Sequence, residues 1–115
     1  MKLKNILAII IAIILVFTIA LLVASRPKLI LFYSSSCQHC KNVEDFINAN
    51  KVKDKIKFRE LEVSQNQSNA NLMVAKAKGC GLNTDQGLAV PFLFDGKNCL
   101  TGDVDIIQVF ETKIK

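Results

Sequence analysis

The sequence predicts an α/β domain that follows a single N-terminal transmembrane helix. Three observations lead to this prediction. A long uncharged apolar segment lies near the N-terminus, a continuous apolar run is followed by a helix-like repeat, and two apolar stretches near the C-terminus are separated by an Asp-Gly turn. With a further strand and helix between them, the domain has the element order βαβαββα.

The N-terminal segment carries no charged residue from Asn5 to Ser25. As a helix rising about 1.5 Å per residue, it would cover roughly 30 Å, the thickness of a bilayer hydrocarbon core. A cleaved signal peptide is the alternative, because Val23-Ala24-Ser25 is a tolerable cleavage site, but a signal usually has only about 7 to 15 apolar residues. We therefore expect residues 1–25 to be an uncleaved anchor and residues 26–115 to form the domain.

The charges around this segment predict where the domain lies. Lys2 and Lys4 favour a cytoplasmic N-terminus, although Arg26 and Lys28 weaken the bias. The domain would then be extracytoplasmic, attached to the cytoplasmic membrane by a single pass. Its 13 basic and 10 acidic residues give only a mild positive excess, with scattered lysines and one tyrosine. That composition does not indicate a nucleic-acid partner.

The first strand and helix of the domain carry the main motif. Lys28–Tyr33 is typical of a strand covered on both faces. Ser34–Ser36 end that run, and their hydroxyl groups can accept hydrogen bonds from free amides at a helix start. Apolar residues then recur at three- and four-residue spacing as far as Asn50. The motif Cys37-Gln38-His39-Cys40 is therefore expected at the N-terminus of an amphipathic helix.

The later elements are a strand, a helix, a hairpin and a last helix. Gly79 is expected to end the middle helix in a left-handed conformation, and Asp95-Gly96 is the turn of the hairpin. Asp103 can cap the last helix. The predicted ranges before that helix are Ile56–Val63, Asn69–Lys78, Val90–Phe94 and Cys99–Thr101.

The C-x-x-C motif at a helix start is suited to thiol–disulfide exchange. Unpaired amides and the helix dipole stabilise a thiolate nearest the helix terminus, so Cys37 is the predicted nucleophile and Cys40 the resolving thiol. His39, if protonated, would favour that thiolate and make the pair more oxidising; a solvent-facing spacer is the alternative. No metal site is predicted, because Cys80 and Cys99 do not form a second C-x-x-C.

Three stretches carry a resemblance to a known family: Leu31–Ser34 leading into the C-x-x-C motif, Val90-Pro91 before the third strand, and Gly102-Asp103 at the last helix. With them the domain resembles the glutaredoxin branch of the thioredoxin superfamily. The resemblance implies a thioredoxin-like three-layer sandwich, a cis peptide bond before Pro91, and a substrate that pairs with the Val90 backbone. It also implies that Gly102 and Asp103 hold part of glutathione. The alternatives are a proline starting an edge strand and an ordinary turn and helix cap.

The sequence departs from that family at the motif itself. Gln38 stands where the family usually has proline, serines occupy the turn where glutaredoxins commonly have lysine, and tryptophan is absent. A histidine before the second cysteine resembles extracytoplasmic disulfide oxidases and isomerases. Glutathione is therefore left open as a substrate, and the expected redox group is the Cys37–Cys40 disulfide without a resident cofactor.

Cys80 and Cys99 form the second pair of cysteines. The element order places both at the sheet edge opposite the C-x-x-C motif, since the middle helix and the third strand both run away from it. We predict a structural disulfide between them, which would close a loop of about 20 residues and contribute roughly 3 kcal/mol. Two independent buried thiols are the alternative.

The predicted function is a thiol-disulfide oxidoreductase at the membrane, acting on protein or low-molecular-weight thiols. Its expected partners are thiol or disulfide proteins and an electron donor or acceptor. A membrane-tethered metal-binding or metal-delivery module and a catalytically silent interaction domain are the alternatives. The direction of exchange depends on the redox potential and on the electron partner, which the residues do not specify.

Overall fold

A computed structural model describes residues 2–24 and 27–115 of the chain. The predicted boundary between anchor and domain, at Ser25 and Arg26, lies outside the described residues. The elements are, in order, α1 (Leu3–Ala24), β1 (Ile30–Tyr33), α2 (Gln38–Ala49), α3 (Val52–Lys55), β2 (Arg59–Glu62), α4 (Gln67–Gly79), β3 (Phe92–Phe94), β4 (Cys99–Thr101) and α5 (Asp103–Ile114).

The four strands form one mixed sheet in the order β2-β1-β3-β4. β1 pairs in parallel with β2, whereas β3 is antiparallel to both β1 and β4. The parallel pair is connected through α2 and α3, as parallel strands require a crossover. The predicted α/β order βαβαββα is confirmed, and the short helix α3 is added to it.

Apolar residues of β1 point alternately to the two faces of the sheet, which makes this strand the centre of the domain. Leu31 packs with residues of α2 and α5, including Val43 and Phe110. Ile30 and Phe32 lie on the opposite face in the cluster that contains Met73 of α4. The prediction of a strand covered on both faces is confirmed, and the domain has three layers, helix, sheet and helix.

The predicted strand Ile56–Val63 is too long. Lys51, in the left-handed conformation with φ of 50°, leads into the single turn of α3, and Val52 is fully buried there. Ile56 ends that turn, so the strand begins only at Arg59. Its four residues match the four of its partner β1, because a strand extends only as far as it finds a ladder to join.

Two predicted helix ends are also corrected. Gly79 is the last residue of α4, Cys80 follows it with φ of −83°, and the left-handed residue is Gly81 with φ of 78°. At the start of α5 the capping position is held by Gly102, with φ of 91°, and not by Asp103. Asp103 is instead the first residue of the helix, and its carboxylate faces α2.

The helix α1 has no buried residue and is long and apolar enough to cross a membrane. From Ile6 onward its residues are apolar on every side except at Thr18, without the polar face that a surface helix of a soluble domain shows. A membrane span and a signal sequence both fit this helix.

Candidate active site

Cys37 lies at the junction between the turn after β1 and the start of α2. Its backbone is extended, with φ of −102° and ψ of 120°, and its Sγ accepts a hydrogen bond from the amide of Cys40 at 3.1 Å. The sulfur itself is therefore the helix cap, a role that we had expected of the preceding serines. Ser34 and Ser36 contact each other through their hydroxyl groups instead. This position places the Cys37 sulfur at the N-terminus of α2, beside the free backbone amides of the first turn.

Cys40 lies one turn further along α2 and is only 6% exposed. Burial, followed by a hydrogen bond with the Cys37 thiol, raises the pKa of Cys40 from 9.0 to about 12. Cys37 by contrast is partly exposed. The two thiols are therefore different in kind: one is reachable by a substrate, and the other is a protonated thiol held beneath it.

The peptide bond between Val90 and Pro91 is cis, as the family resemblance implied. The Cys37 thiol donates a long hydrogen bond to the Val90 carbonyl, with 3.5 Å between Sγ and oxygen. Pro91 is fully buried, and its carbonyl accepts a hydrogen bond from the Gly102 amide at 3.1 Å. These hydrogen bonds link residues that are far apart in sequence into one rim beside the Cys37 sulfur. The rim consists of Cys37, Val90, Pro91 and Gly102.

His39 and Asp103 meet across this rim. The His39 Nδ1 atom lies 3.2 Å from Asp103 Oδ2, and the same oxygen accepts a hydrogen bond of 2.6 Å from Asn42. The hydrogen bond from Asn42, then that from His39, lowers the pKa of Asp103 below its usual value. Sequence reasoning named His39 and Asp103 separately and missed Asn42. Its position three residues after His39, on the same face of α2, was the available signal.

A pocket of about 400 Å³ opens beside the two thiols. Among the residues lining it are Tyr33, Cys37, Cys40, Glu44, Lys53 and Glu60. Lys53 comes from α3 and forms an ion pair with Glu60 of β2. Lys53 was not predicted as part of the site, because α3 is a single helical turn and leaves too little periodicity to detect.

Comparisons with known proteins identify the family of the domain. The sequence pattern of the Thioredoxin family matches residues 16–77, which include the C-x-x-C motif and more than half of the chain. The chain belongs to the thioredoxin family. No curated protein matches the sequence. The predicted thioredoxin-like fold is confirmed.

Solved structures with the same fold come from both thioredoxins and glutaredoxins. A wheat glutaredoxin has 23% sequence identity and a TM-score of 0.51, over 79% of this chain and 75% of its own. A thioredoxin of Fasciola hepatica has 19% identity and a TM-score of 0.51, over 82% and 88%. At these identities the likeness concerns the fold alone. The thioredoxin fold is consistent with thiol-disulfide oxidoreductase activity.

The second pair of cysteines is joined in this thioredoxin-like domain. Cys80, which follows α4, and Cys99, the first residue of β4, form a disulfide with 6.1 Å between their Cα atoms. This is the pairing predicted from the element order. Cys37 and Cys40 are the free cysteines of the described residues.

Metal ligation was the rival use of the cysteines of this thioredoxin-like chain. In residues 2–24 and 27–115, no three side chains of His, Cys, Asp or Glu are grouped so that they could hold a metal ion. The exchange of disulfides requires only the two thiols, which are adjacent here.

Proposed function

We propose that this chain is a membrane-anchored thiol-disulfide oxidoreductase whose redox centre is Cys37-Gln38-His39-Cys40. One observation carries the proposal: the Cys37 sulfur caps α2, accepts the Cys40 amide, and lies 3.5 Å from the carbonyl of cis-bonded Val90. A nucleophile needs a stabilised thiolate, a resolving thiol within reach and a surface for the substrate. All three surround one atom.

In the proposed reaction Cys37 is the attacking group and Cys40 resolves the mixed disulfide. Because the Cys40 thiol has a pKa of about 12, it stays protonated and does not compete for the substrate disulfide. It acts only after a Cys37 mixed disulfide has formed beside it. Running in reverse, the Cys37–Cys40 disulfide would accept electrons from a substrate dithiol.

The proposed substrate lies extended along Val90 and Pro91, with Gly102 and Asp103 at its side. Protein thiols and disulfides suit this rim, because a polypeptide can add to the Val90 backbone as a further strand. A low-molecular-weight thiol such as glutathione would have to compete with Asn42 and His39 for the Asp103 carboxylate. No resident cofactor is proposed besides the Cys37–Cys40 disulfide itself.

We propose that α1 anchors this domain on the extracytoplasmic side of the cytoplasmic membrane. The support is a helix of 22 residues without a buried side chain, with Lys2 just before it and Lys4 in its first turn, which favour a cytoplasmic N-terminus. Retention in the membrane pellet after carbonate extraction, with the N-terminal helix still present by mass, is the expected result. A mature protein that starts after Ala24 would contradict the anchor.

The redox function is tested with single substitutions in the full chain. Cys37→Ser should abolish insulin-disulfide reduction and dithiol oxidation, while Cys40→Ser should accumulate a mixed disulfide with the substrate. Asn48→Ala is the control, because Asn48 is an exposed residue near the other end of the same helix. Retained activity in Cys37→Ser would refute the proposal. Tight stoichiometric binding of zinc or copper without exchange activity would favour the metal module.

A further inference from the structure

Three side chains from two helices converge at the rim of the Cys37 site. His39 and Asn42 come from the first two turns of α2, and Asp103 is the first residue of α5. Both partners approach the same carboxylate oxygen, at 3.2 Å from His39 and 2.6 Å from Asn42. The Asp103 side chain is 18% exposed, whereas that of His39 is 71% exposed. The carboxylate is thus largely enclosed while the imidazole still reaches solvent.

The contact with Asp103 decides which ring nitrogen of His39 remains available to a substrate. An ionised carboxylate only accepts hydrogen bonds, so the Nδ1 atom that faces Asp103 carries a hydrogen. The side-chain amide of Asn42 donates a second hydrogen bond to the same Asp103 oxygen and so helps to hold the carboxylate in place. The Nε2 atom is therefore the ring nitrogen that is left for a substrate, on a side chain that is 71% exposed.

The same rim holds the attacking sulfur. Gly102, directly before Asp103, donates its amide hydrogen to the Pro91 carbonyl at 3.1 Å. Cys37 contacts the preceding carbonyl, that of Val90. Two consecutive carbonyls, those of Val90 and Pro91, thus connect the Cys37 sulfur to the start of α5, next to which His39 is held.

We propose that Asp103 is a positioning residue which, with Asn42, holds His39 so that its Nε2 delivers a proton to the sulfur leaving a substrate disulfide. The inference rests on the proposed exchange function and adds to it a proton donor for the first step. Its chemistry differs from electrostatic tuning of Cys37, because the proton goes to the substrate.

The step balances as follows. The Cys37 thiolate forms a bond to one substrate sulfur, the substrate disulfide breaks, and the electron pair leaves on the other sulfur. The His39 imidazolium gives its Nε2 proton to that sulfur and keeps the Nδ1 hydrogen that faces Asp103. Cys40 then attacks the Cys37 sulfur and its proton goes to the second substrate sulfur. Two electrons pass from the protein thiols to the substrate.

The experiment compares two disulfides that differ in their leaving sulfur. An alkyl disulfide expels a basic thiolate, and a proton donor speeds its departure. An aryl disulfide such as dithiobis(nitrobenzoate) expels a thiolate that is stable without a proton donor. The rate of mixed-disulfide formation is measured in the full chain carrying Cys40→Ser. His39→Gln and Asp103→Asn should each slow the alkyl reaction by about tenfold or more, and the aryl reaction by much less.

The controls separate this role from a structural one. Asp105→Asn removes a charge from the same first turn of α5, at an exposed position, and should leave both rates unchanged. Asp103→Asn combined with His39→Gln should be no slower than His39→Gln alone, since Asp103 acts through His39. His39→Gln, at an exposed side chain, tests the proposal even if Asp103→Asn does not fold.

Three results would overturn the inference. Equal slowing of the alkyl and aryl reactions would mean that the pair acts on the Cys37 nucleophile, and additive losses in the double variant would mean that Asp103 acts independently of His39. Exchange by His39→Gln at the unsubstituted rate would also refute it. Absence of exchange with either disulfide before any substitution at the rim would instead refute the proposed function itself.

Discussion

The most direct consequence of the site geometry is a large difference in reactivity between the two thiols. Raising the pKa of Cys40 from 9.0 to about 12 reduces its thiolate fraction at pH 7. The reduction is about 1,000-fold relative to an unperturbed thiol. Burial reinforces the effect, because only 6% of Cys40 is accessible to a reagent. The folded, reduced protein should therefore be alkylated almost entirely at Cys37.

The assay is brief treatment with iodoacetamide at pH 7 after mild reduction, followed by digestion and mass spectrometry of the peptide that contains both cysteines. Cys37→Ser supplies the control, since its Cys40 should stay unmodified until the protein is unfolded in guanidinium. The same digestion reports whether Cys80 and Cys99 remain joined. Alkylation of Cys40 in the folded protein at a rate comparable with that of Cys37 would refute the assignment of roles.

The pKa of Cys40 also predicts how the stability of the reduced protein depends on pH. The folded state holds the Cys40 proton more tightly than the unfolded chain, so below pH 9.0 this group favours folding. Between pH 9.0 and about 12 the unfolded chain releases the proton first, and stability falls as pH rises. Cys40→Ala should flatten that part of the profile in urea unfolding, and an unchanged slope would contradict the reasoning.

Three further predictions concern stability. Replacing Cys80 and Cys99 together by alanine should lower the free energy of unfolding by roughly 3 kcal/mol in denaturant titrations, and an unchanged midpoint would show that the disulfide constrains little. Phe110→Ala should lower the free energy of unfolding by about 3–5 kcal/mol, because Phe110 is fully buried. Val104→Ala is its control and should show no comparable loss, because the Val104 side chain is 74% exposed. The fold lowers the pKa of Asp103, so its carboxylate should stabilise the protein above pH 3.8 and lose that contribution as pH falls. The free energy of unfolding of Asp103→Asn should therefore approach that of the unsubstituted protein at low pH. A difference that stays constant with pH would exclude the ionic contribution.

The elements that carry the chemistry were predictable because their signals are local. The apolar run before the C-x-x-C motif and the amphipathic repeat after it predicted the strand and helix now seen as β1 and α2. The Cys80–Cys99 pairing followed from strand and helix directions, since element order alone decides at which edge of the sheet each end lies. The cis bond before Pro91 came only from the resemblance, because composition and periodicity do not report a peptide isomer.

The predictions were wrong at short segments whose conformation depends on the elements next to them. The single turn of α3 has four residues, too few for a periodic pattern, so it was absorbed into the link before a strand that was predicted too long. The left-handed residue after α4 is Gly81 and not Gly79. Both glycines accept that conformation, and the hydrogen bonds from the Gly81 amide to the Lys78 carbonyl and from the Leu82 amide to the Ala77 carbonyl place it at Gly81.

The sequence by itself determined that Cys37 stands at a helix start with Cys40 one turn behind it, because the spacing of apolar residues dictates where the helix begins. Only the tertiary structure decided what faces those thiols. Burial makes Cys40 a protonated thiol, the Val90 carbonyl lies 3.5 Å from the Cys37 sulfur, and Asp103 at the start of α5 lies 3.2 Å from His39. The last two contacts join residues more than 50 positions apart, and such pairs are set by the packing of whole elements, which no local pattern contains.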